Sequence, residues 1–100
     1  MVIPVIGTFA DVGTEDIWNG RDTKAARTIP KAIWRVVQRK LDLLNRAPRL
    51  DALRVPPGNR LEALRGNRAG SYGVRVNDQD RITFTFREEA FHEVRCEDYH

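Results

Sequence analysis

The fold class of this chain is decided by its last third, which reads SYGVRVNDQDRITFTFREEAFHEVRC from Ser71 to Cys96. Apolar side chains alternate with polar ones along this stretch, a pattern typical of strands that bury one face. Polar residues at 77–80 and 87–90 interrupt the alternation and predict two hairpin connections. The apolar positions define three strands, which contain Tyr72, Val74 and Val76, then Ile82, Phe84 and Phe86, then Phe91, Val94 and Cys96.

The residues before this stretch add one more strand. The sequence PPG at 56–58 predicts a rigid turn, and the alternation begins after it at Leu61, followed by Ala63 or Leu64. Residues 66–70 then predict a further hairpin connection. The C-terminal half is therefore expected to form an antiparallel sheet of hairpin-linked strands.

The N-terminal half predicts helices. Pro30 opens a pattern in which apolar residues recur every three or four positions as far as Asn45. The buried stripe of this amphipathic helix is expected to contain Ile33, Val37, Leu41 and Leu44, with Trp34 beside it. A shorter helix is expected to begin at Thr14 as its N-cap, and residues 2–9 predict a first strand. Together these elements predict an α+β fold with a single domain over residues 1–100.

The charge of the chain is unevenly distributed. The formal net charge is only +3, but residues 21–75 carry fourteen bases and four acids, whereas both ends are acidic. Fourteen of the seventeen bases are arginine. The planar guanidinium group suits phosphate and stacks on bases, so this segment indicates RNA, DNA or an acidic protein as partner. The alternative is a solvated basic surface without a partner.

Composition also excludes several classes of function. A lone Cys96 cannot form an internal disulfide, and the chain has no long apolar run, so we expect a cytoplasmic protein that is neither exported nor in a membrane. One cysteine and two histidines without paired spacing do not predict a metal site. The glycines at 66 and 70 lie between strands, where they do not form a phosphate-binding loop. No metal and no cofactor are therefore expected.

A phosphodiester site is the chemistry that remains. RNA can be cut without a metal if the enzyme supplies a base, an acid and a cation for the phosphorane. His100 and Tyr99 could transfer protons, Asp98 could orient them, and the phosphate could be held by Arg65 and Arg81. His92 is the competing histidine. In the alternative interpretation, residues 99 and 100 have no catalytic role and Arg81 forms a surface ion pair.

Four segments together resemble one known family, and they span most of the chain. They are GTEDIWNG at 13–20, VPPGNRLEALRG at 55–66, RITF at 81–84 and EDYH at 97–100. The sequence is similar to HigB-type toxins of the RelE/ParE superfamily, the toxic halves of type II toxin–antitoxin pairs. The resemblance implies a microbial-ribonuclease-type fold, with helices packed on a curved antiparallel sheet. It also implies an endonuclease that cuts messenger RNA in the A site of the 70S ribosome.

The resemblance extends to partners and site residues. It implies a HigA-type helix-turn-helix antitoxin, through which the toxin would reach operator DNA only indirectly. Arg81 would stabilise the scissile phosphate, Tyr99 would stack on or orient the nucleotide, His100 would transfer a proton, and Asp98 fills the acidic position before them. Arg65 stands where many members have lysine, Gln79 lies near an asparagine of some members, and Glu62 replaces a histidine of certain relatives. The assignment of general acid and general base therefore stays open.

The basic helix and the residues after it would dock on ribosomal RNA in this interpretation. The cations expected to contact its phosphates are Arg35, Arg39, Lys40, Arg46, Arg49 and Arg54. Two other functions remain open: a ParE-like DNA gyrase inhibitor, and a module that binds nucleic acid or an antitoxin without catalysis.

Overall fold

The computed structural model describes residues 6–47, 49–68 and 70–98. Within those ranges the chain forms two α-helices, α1 (Val12–Trp18) and α2 (Trp34–Arg46), followed by an antiparallel sheet. The strands of that sheet are β1 (Glu62–Ala63), β2 (Ser71–Arg75), β3 (Asp80–Arg87) and β4 (Ala90–Asp98). They pair in the order β1-β2-β3-β4, so every connection is a hairpin between neighbours. The predicted α+β class and the antiparallel sheet are confirmed.

Helix α2 buries the stripe that its periodicity predicts. Val37, Leu41 and Leu44 have no exposed surface. The α-helix begins later than predicted, because Pro30 has extended backbone and residues 31–33 form a single 3₁₀ turn. It begins at Trp34, whose indole N–H donates to the carbonyl oxygen of Ile29 at 2.8 Å. Each fully buried aliphatic side chain of the stripe stabilises the fold by roughly 1.5–3 kcal/mol.

The cap of helix α1 differs from the prediction. Asp11, not Thr14, is the N-cap, and its carboxylate accepts hydrogen bonds from the backbone N–H and the hydroxyl of Thr14 at 3.1 and 2.8 Å. The hydroxyl oxygen of Thr14 in turn accepts from the backbone N–H of Cys96 at 2.9 Å. Thr14 therefore has no exposed surface and links α1 to strand β4 instead of starting the helix.

The hydrophobic core lies between the helices and one face of the sheet. Ile82 and Phe84 of β3 pack there with the buried stripe of α2, and the rings of Phe84 and Phe91 meet edge to face at 5.1 Å. Since neighbouring residues of a strand point to opposite faces, Arg81 and Thr83 face away from the helices. We call this other side of the sheet the site face.

The N-terminal segment forms less structure than predicted. Residues 2–5 of the predicted first strand lie outside the described residues. Ile6 and Phe9 form isolated parallel bridges with Phe91 and Val94, so the segment lies along the edge of β4 without forming a regular strand. A register shift in the β3–β4 ladder, between Thr83 and Thr85, leaves that edge irregular. None of the helices in the described ranges is long and apolar enough to cross a membrane.

Candidate active site

The strand register collects charged side chains on the site face. In the strand register, Arg81 lies opposite Glu97 on β4 and opposite Arg75 on β2. Two residues further along β3, Thr83 lies on the same face, opposite Arg95 of β4 and opposite Gly73 of β2. Rows two residues apart are separated by about 7 Å along the strands. This face therefore brings several guanidinium groups close to the carboxylate of Glu97.

The carboxylate of Glu97 is held from several directions. Arg68, in the connection between β1 and β2, donates two hydrogen bonds to it, both 2.9 Å long. The hydroxyl of Thr83 donates to the same carboxylate, and Nε of Arg95 lies 3.8 Å from it. Forked guanidinium–carboxylate contacts of this kind are among the stronger hydrogen bonds in proteins. The Arg68–Glu97 pair therefore fixes the β1–β2 connection against the C-terminal end of β4.

The same contacts keep Glu97 ionised. The hydrogen bonds from Arg68 lower the pKa of this carboxyl below its ordinary value. Burial opposes that shift, and the hydroxyl of Thr83 and the charge of Arg95 support it. Glu97 is therefore an anion that organises the site, and it does not supply a proton at neutral pH.

The dependence of the free energy of unfolding on pH tests the Arg68–Glu97 ion pair. Since the pKa of Glu97 is lower in the folded chain than its ordinary value of 4.5, the pair stabilises the fold fully above that value. The stabilisation is lost as the pH falls through the lower, folded pKa. We expect Glu97→Gln to lower the free energy of unfolding at neutral pH by about 1–3 kcal/mol.

Urea denaturation at neutral pH and at steps below pH 4.5 measures the effect. The free energy of unfolding of Glu97→Gln should change less on acidification than that of the unmodified chain. Glu88→Gln, which removes a carboxylate from the exposed β3–β4 turn, serves as the control. An identical pH dependence in both variants would contradict the assignment.

Arg81 is held by backbone carbonyl groups and has no carboxylate within ion-pair distance among the described residues. Its guanidinium donates to the carbonyl oxygens of Asn77 and Asp80, which hold it against the β2–β3 turn. The side chain of Asn77 stabilises that turn by accepting the N–H groups of Gln79 and Asp80 at 2.9 and 2.7 Å. Within residues 6–47, 49–68 and 70–98, Arg81 makes no ion pair with a carboxylate. The guanidinium of Arg81 is therefore positioned by the backbone of the turn.

The other predicted site residues differ in where they lie relative to Arg81. Glu62 on β1 borders a small depression together with Arg81, and Gln79 is exposed in the β2–β3 turn. Arg65 is exposed in the β1–β2 connection, at the opposite end of β2 from that turn. Asp98 ends β4 opposite Asp80, one residue beyond Glu97, so strand alternation places it on the other face of the sheet from Arg81. Tyr99 and His100 follow Asp98 directly and lie outside the described residues.

Some of the cations predicted to dock on RNA are exposed, and others lie next to a carboxylate. Arg35, Arg39 and Arg49 are exposed. Arg46 pairs with Asp42 at 2.6 Å, and Arg54 lies 3.8 Å from Asp51. Since α2 packs on the core face, its exposed cations lie on the opposite side of the sheet from Arg81.

Lys40 has a structural contact that the sequence did not predict. Its ammonium donates to the side-chain oxygen of Asn59, which is buried. The amide nitrogen of Asn59 donates to the carbonyl oxygens of Leu53 and Val55, both at 3.2 Å. Burial lowers the pKa of Lys40, and the charges of nearby arginines add to the shift. Lys40 therefore also holds the segment after α2, and its contact with RNA stays a prediction.

Two reactive residue types are placed away from the candidate chemistry. Both ring nitrogens of His92 are buried and lack a hydrogen-bond partner, and the ring lies so close to Gly7 that a Cβ there would be 2.9 Å from it. Burial raises the pKa of the Cys96 thiol to about 12, so the thiol is not a nucleophile at neutral pH. Among the residues that the structure describes, no cluster of histidine, cysteine and acidic side chains could hold a metal ion.

Two solved structures share this fold. The YoeB-YefM complex from Staphylococcus aureus aligns with a TM-score of 0.52 and 20% identity, covering 95% of this chain and 97% of that one. The YoeB/ParE toxin from Agrobacterium tumefaciens aligns with a TM-score of 0.56 and 14% identity, covering 98% of this chain and all of that one. At such identities the likeness shows the fold alone.

Sequence comparison narrows the class to one family. The model of the HigB-like toxin, described as the RelE-like toxin of the type II toxin–antitoxin system HigB, matches residues 8–100. The chain is also 46% identical to Toxin HigB-1 of Vibrio cholerae over 76 residues, which cover 76% of this chain and 78% of that protein. This chain belongs to the HigB-like toxin family of type II toxin–antitoxin systems.

Proposed function

We propose that this toxin is a metal-independent endoribonuclease that cuts messenger RNA in the ribosomal A site. The observation that carries the proposal is the guanidinium of Arg81, which has no carboxylate partner among the described residues and lies near the end of β4. That strand leads directly into Asp98, Tyr99 and His100. The cation proposed for the phosphate thus lies near the end of the strand that precedes, in sequence, the residues proposed for proton transfer.

The proposed reaction is an internal transfer within the RNA. The ribose 2′-oxygen attacks the adjacent phosphorus, its proton passes to a base, and the 5′-oxygen of the leaving strand receives a proton from an acid. Arg81 stabilises the charge of the phosphorane, and Arg65, in the β1–β2 connection, would supply a further cation to the RNA. His100 transfers a proton, and Tyr99 stacks on or orients the nucleotide. Asp98 orients the side chains of Tyr99 and His100. Gln79 lies in the turn that holds Arg81, where its amide can contact the message.

The proposed partners follow from the family and the charge. A HigA-type helix-turn-helix antitoxin neutralises the toxin in the cytoplasm, and operator DNA is contacted only through that antitoxin. The 70S ribosome supplies the message, and the exposed cations Arg35, Arg39 and Arg49 bind its RNA phosphates.

Mapping transcripts after a brief pulse of expression tests the proposal. We expect new 5′ ends within translated codons, and we expect them to disappear when initiation is blocked. DNA breaks with intact messages would indicate a gyrase inhibitor instead. Growth arrest that persists in both Arg81→Ala and His100→Ala would indicate a binding module without catalysis.

Docking through α2 can be tested with two arginines of the same helix. Arg39 makes no ion pair with a described residue, whereas Arg46 already pairs with Asp42 at 2.6 Å. We expect Arg39→Gln to weaken ribosome binding and to reduce the salt slope of log K by about 1, as for the loss of one phosphate contact. Arg46→Gln should change that slope less. Binding measured by ultracentrifugation across a salt series gives both slopes, and equal slopes would contradict docking through Arg39.

A further inference from the structure

Arg81 has a carboxylate directly opposite it on the next strand. Glu97 is its partner in the register of β3 and β4, where the Cβ atoms of two facing residues are about 4.5–5.5 Å apart. Opposite charges at such positions ordinarily attract each other across the strands. Here they form no ion pair, because Nη1 of Arg81 donates to backbone carbonyl oxygens of the β2–β3 turn and the carboxylate of Glu97 is bound elsewhere.

Arg68 binds that carboxylate in place of Arg81. Its two terminal nitrogens each donate to one oxygen of Glu97 at 2.9 Å, and one of them lies 3.4 Å from the hydroxyl oxygen of Thr83. The hydroxyl of Thr83, a buried residue, donates to the same carboxylate. Since Thr83 lies two residues further from the β2–β3 turn than Arg81, these contacts draw the carboxylate away from Arg81.

The position of Glu97 matters for Arg81 because solvent screens this carboxylate little. Its side chain is only 16% exposed. Two other carboxylates near Arg81 are in contact with water: Asp78 is 96% exposed and pairs with Arg75 at 2.6 Å, and Glu62 is exposed at the edge of the small depression. Glu97 is therefore the carboxylate best placed to neutralise Arg81.

We propose that Arg68 is a positioning residue, which holds the carboxylate of Glu97 away from Arg81 and so leaves the guanidinium of Arg81 available to a phosphate. The inference rests on the proposed function, since it gives the Arg68–Glu97 pair a role in the reaction. Only Nη1 of Arg81 donates to the turn, so its other N–H groups can bind either a phosphate or a carboxylate. The two anions compete for the same donors.

Loss of Arg68 would leave Glu97 with two cations within reach. Arg95 lies 3.8 Å away on the same strand, but its side chain is 48% exposed and has no other ion pair among the described residues. Ordering such a side chain costs entropy, whereas Arg81 is already held by the turn. We therefore expect the released carboxylate to bind Arg81.

The test compares Arg68→Gln, Glu97→Gln and the double variant in single-turnover cleavage of ribosome-bound message at saturating toxin. Arg68→Gln releases the carboxylate and should cleave about tenfold more slowly, since a hydrogen bond between charged groups shifts an equilibrium by about that factor. Glu97→Gln removes the carboxylate and should cleave at close to the rate of the unmodified toxin. Adding Glu97→Gln to Arg68→Gln should restore that rate.

A pair that only stabilises the fold would behave differently. All three variants break the same ion pair, so a structural role predicts a similar loss of activity in each. The double variant has no Arg68–Glu97 pair at all, so recovery of its rate cannot come from recovered stability.

The Nε–Hε signal of Arg81 in the NMR spectrum reports the same competition without RNA. It should shift in Arg68→Gln and return towards its original position in the double variant. Arg27→Gln is the matched control, because it breaks an exposed arginine–carboxylate pair, with Asp22 at 2.9 Å, in the helical half of the chain. It should change neither the cleavage rate nor the signal of Arg81.

Two results would overturn the inference alone. One is an unchanged rate in Arg68→Gln, as expected if Arg95 took over the carboxylate. The other is a double variant that cleaves no faster than Arg68→Gln. If the unmodified toxin cut no message on ribosomes, the proposed function would fail, and the NMR signal would still decide whether Arg68 keeps Glu97 from Arg81.

Discussion

Replacing Arg81 by alanine is expected to lower single-turnover cleavage of ribosome-bound message by about 10²–10³-fold. The phosphorane carries one more negative charge than the phosphodiester, and the guanidinium stabilises that extra charge more than the ground state. Arg81 suits this role because backbone carbonyls of the β2–β3 turn position it while leaving its charge without a carboxylate partner among the described residues. Primer extension on programmed ribosomes at saturating toxin gives the rate.

Strand β3 offers a control for the loss of positive charge. Arg87, at the other end of the strand, is exposed and makes no ion pair within the described ranges. Arg87→Ala should therefore cleave at the rate of the unmodified toxin. Arg81→Lys should recover part of the activity, since a lysine retains the charge but loses the planar fork. Equal rates for Arg81→Ala and Arg87→Ala, with both variants folded by circular dichroism, would exclude Arg81 from the chemistry.

Much of the fold could be predicted because its signals are local. The spacing of Val37, Leu41 and Leu44 reports a helix face, and the alternation around Ile82 and Phe84 reports a sheet face. The exact start of a helix is harder to predict, because several neighbouring side chains can each act as its N-cap. Asp11 and Thr14 could both cap α1, and only the contact of the Thr14 hydroxyl with the backbone of Cys96 decides between them.

The candidate site could be predicted only in part, because much of it depends on long-range pairing. Arg68 and Glu97 are 29 residues apart in the chain, and no local pattern indicates that they meet. The same limitation applies to Lys40, which was predicted to face RNA but donates to a buried asparagine. Arg81 could be proposed from the sequence because its position, at the start of a strand, matches that of an arginine in the family.

The charge pattern also has a different meaning in three dimensions. Seen along the chain, the bases between residues 21 and 75 suggested one cationic surface. The structure divides them: Arg35 and Arg39 lie on the helix side, whereas Arg68 and Arg75 surround the site on the other side of the sheet. A toxin arranged in this way could contact ribosomal RNA with one side and the message with the other.

His100→Ala is expected to lower the cleavage rate by about 10²–10⁴-fold, which is the usual contribution of a proton-transfer group. The expectation rests on the sequence, which places His100 two residues beyond Asp98 at the end of β4. Rates should be measured across a pH series at saturating toxin, with and without added imidazole. If the histidine transfers a proton, the variant should lose one limb of the pH profile, and imidazole should restore part of the rate.

The second histidine provides the control for that experiment. The ring nitrogens of His92 are buried and have no hydrogen-bond partner among the described residues, so they cannot exchange a proton with a bound message. His92→Phe preserves a ring against Gly7 and should cleave at an unchanged rate with an unchanged pH profile. A large loss in His92→Phe, together with full activity in His100→Ala, would reverse the assignment. It would also require the N-terminal segment to move away from strand β4 before cleavage, because that segment covers the ring of His92.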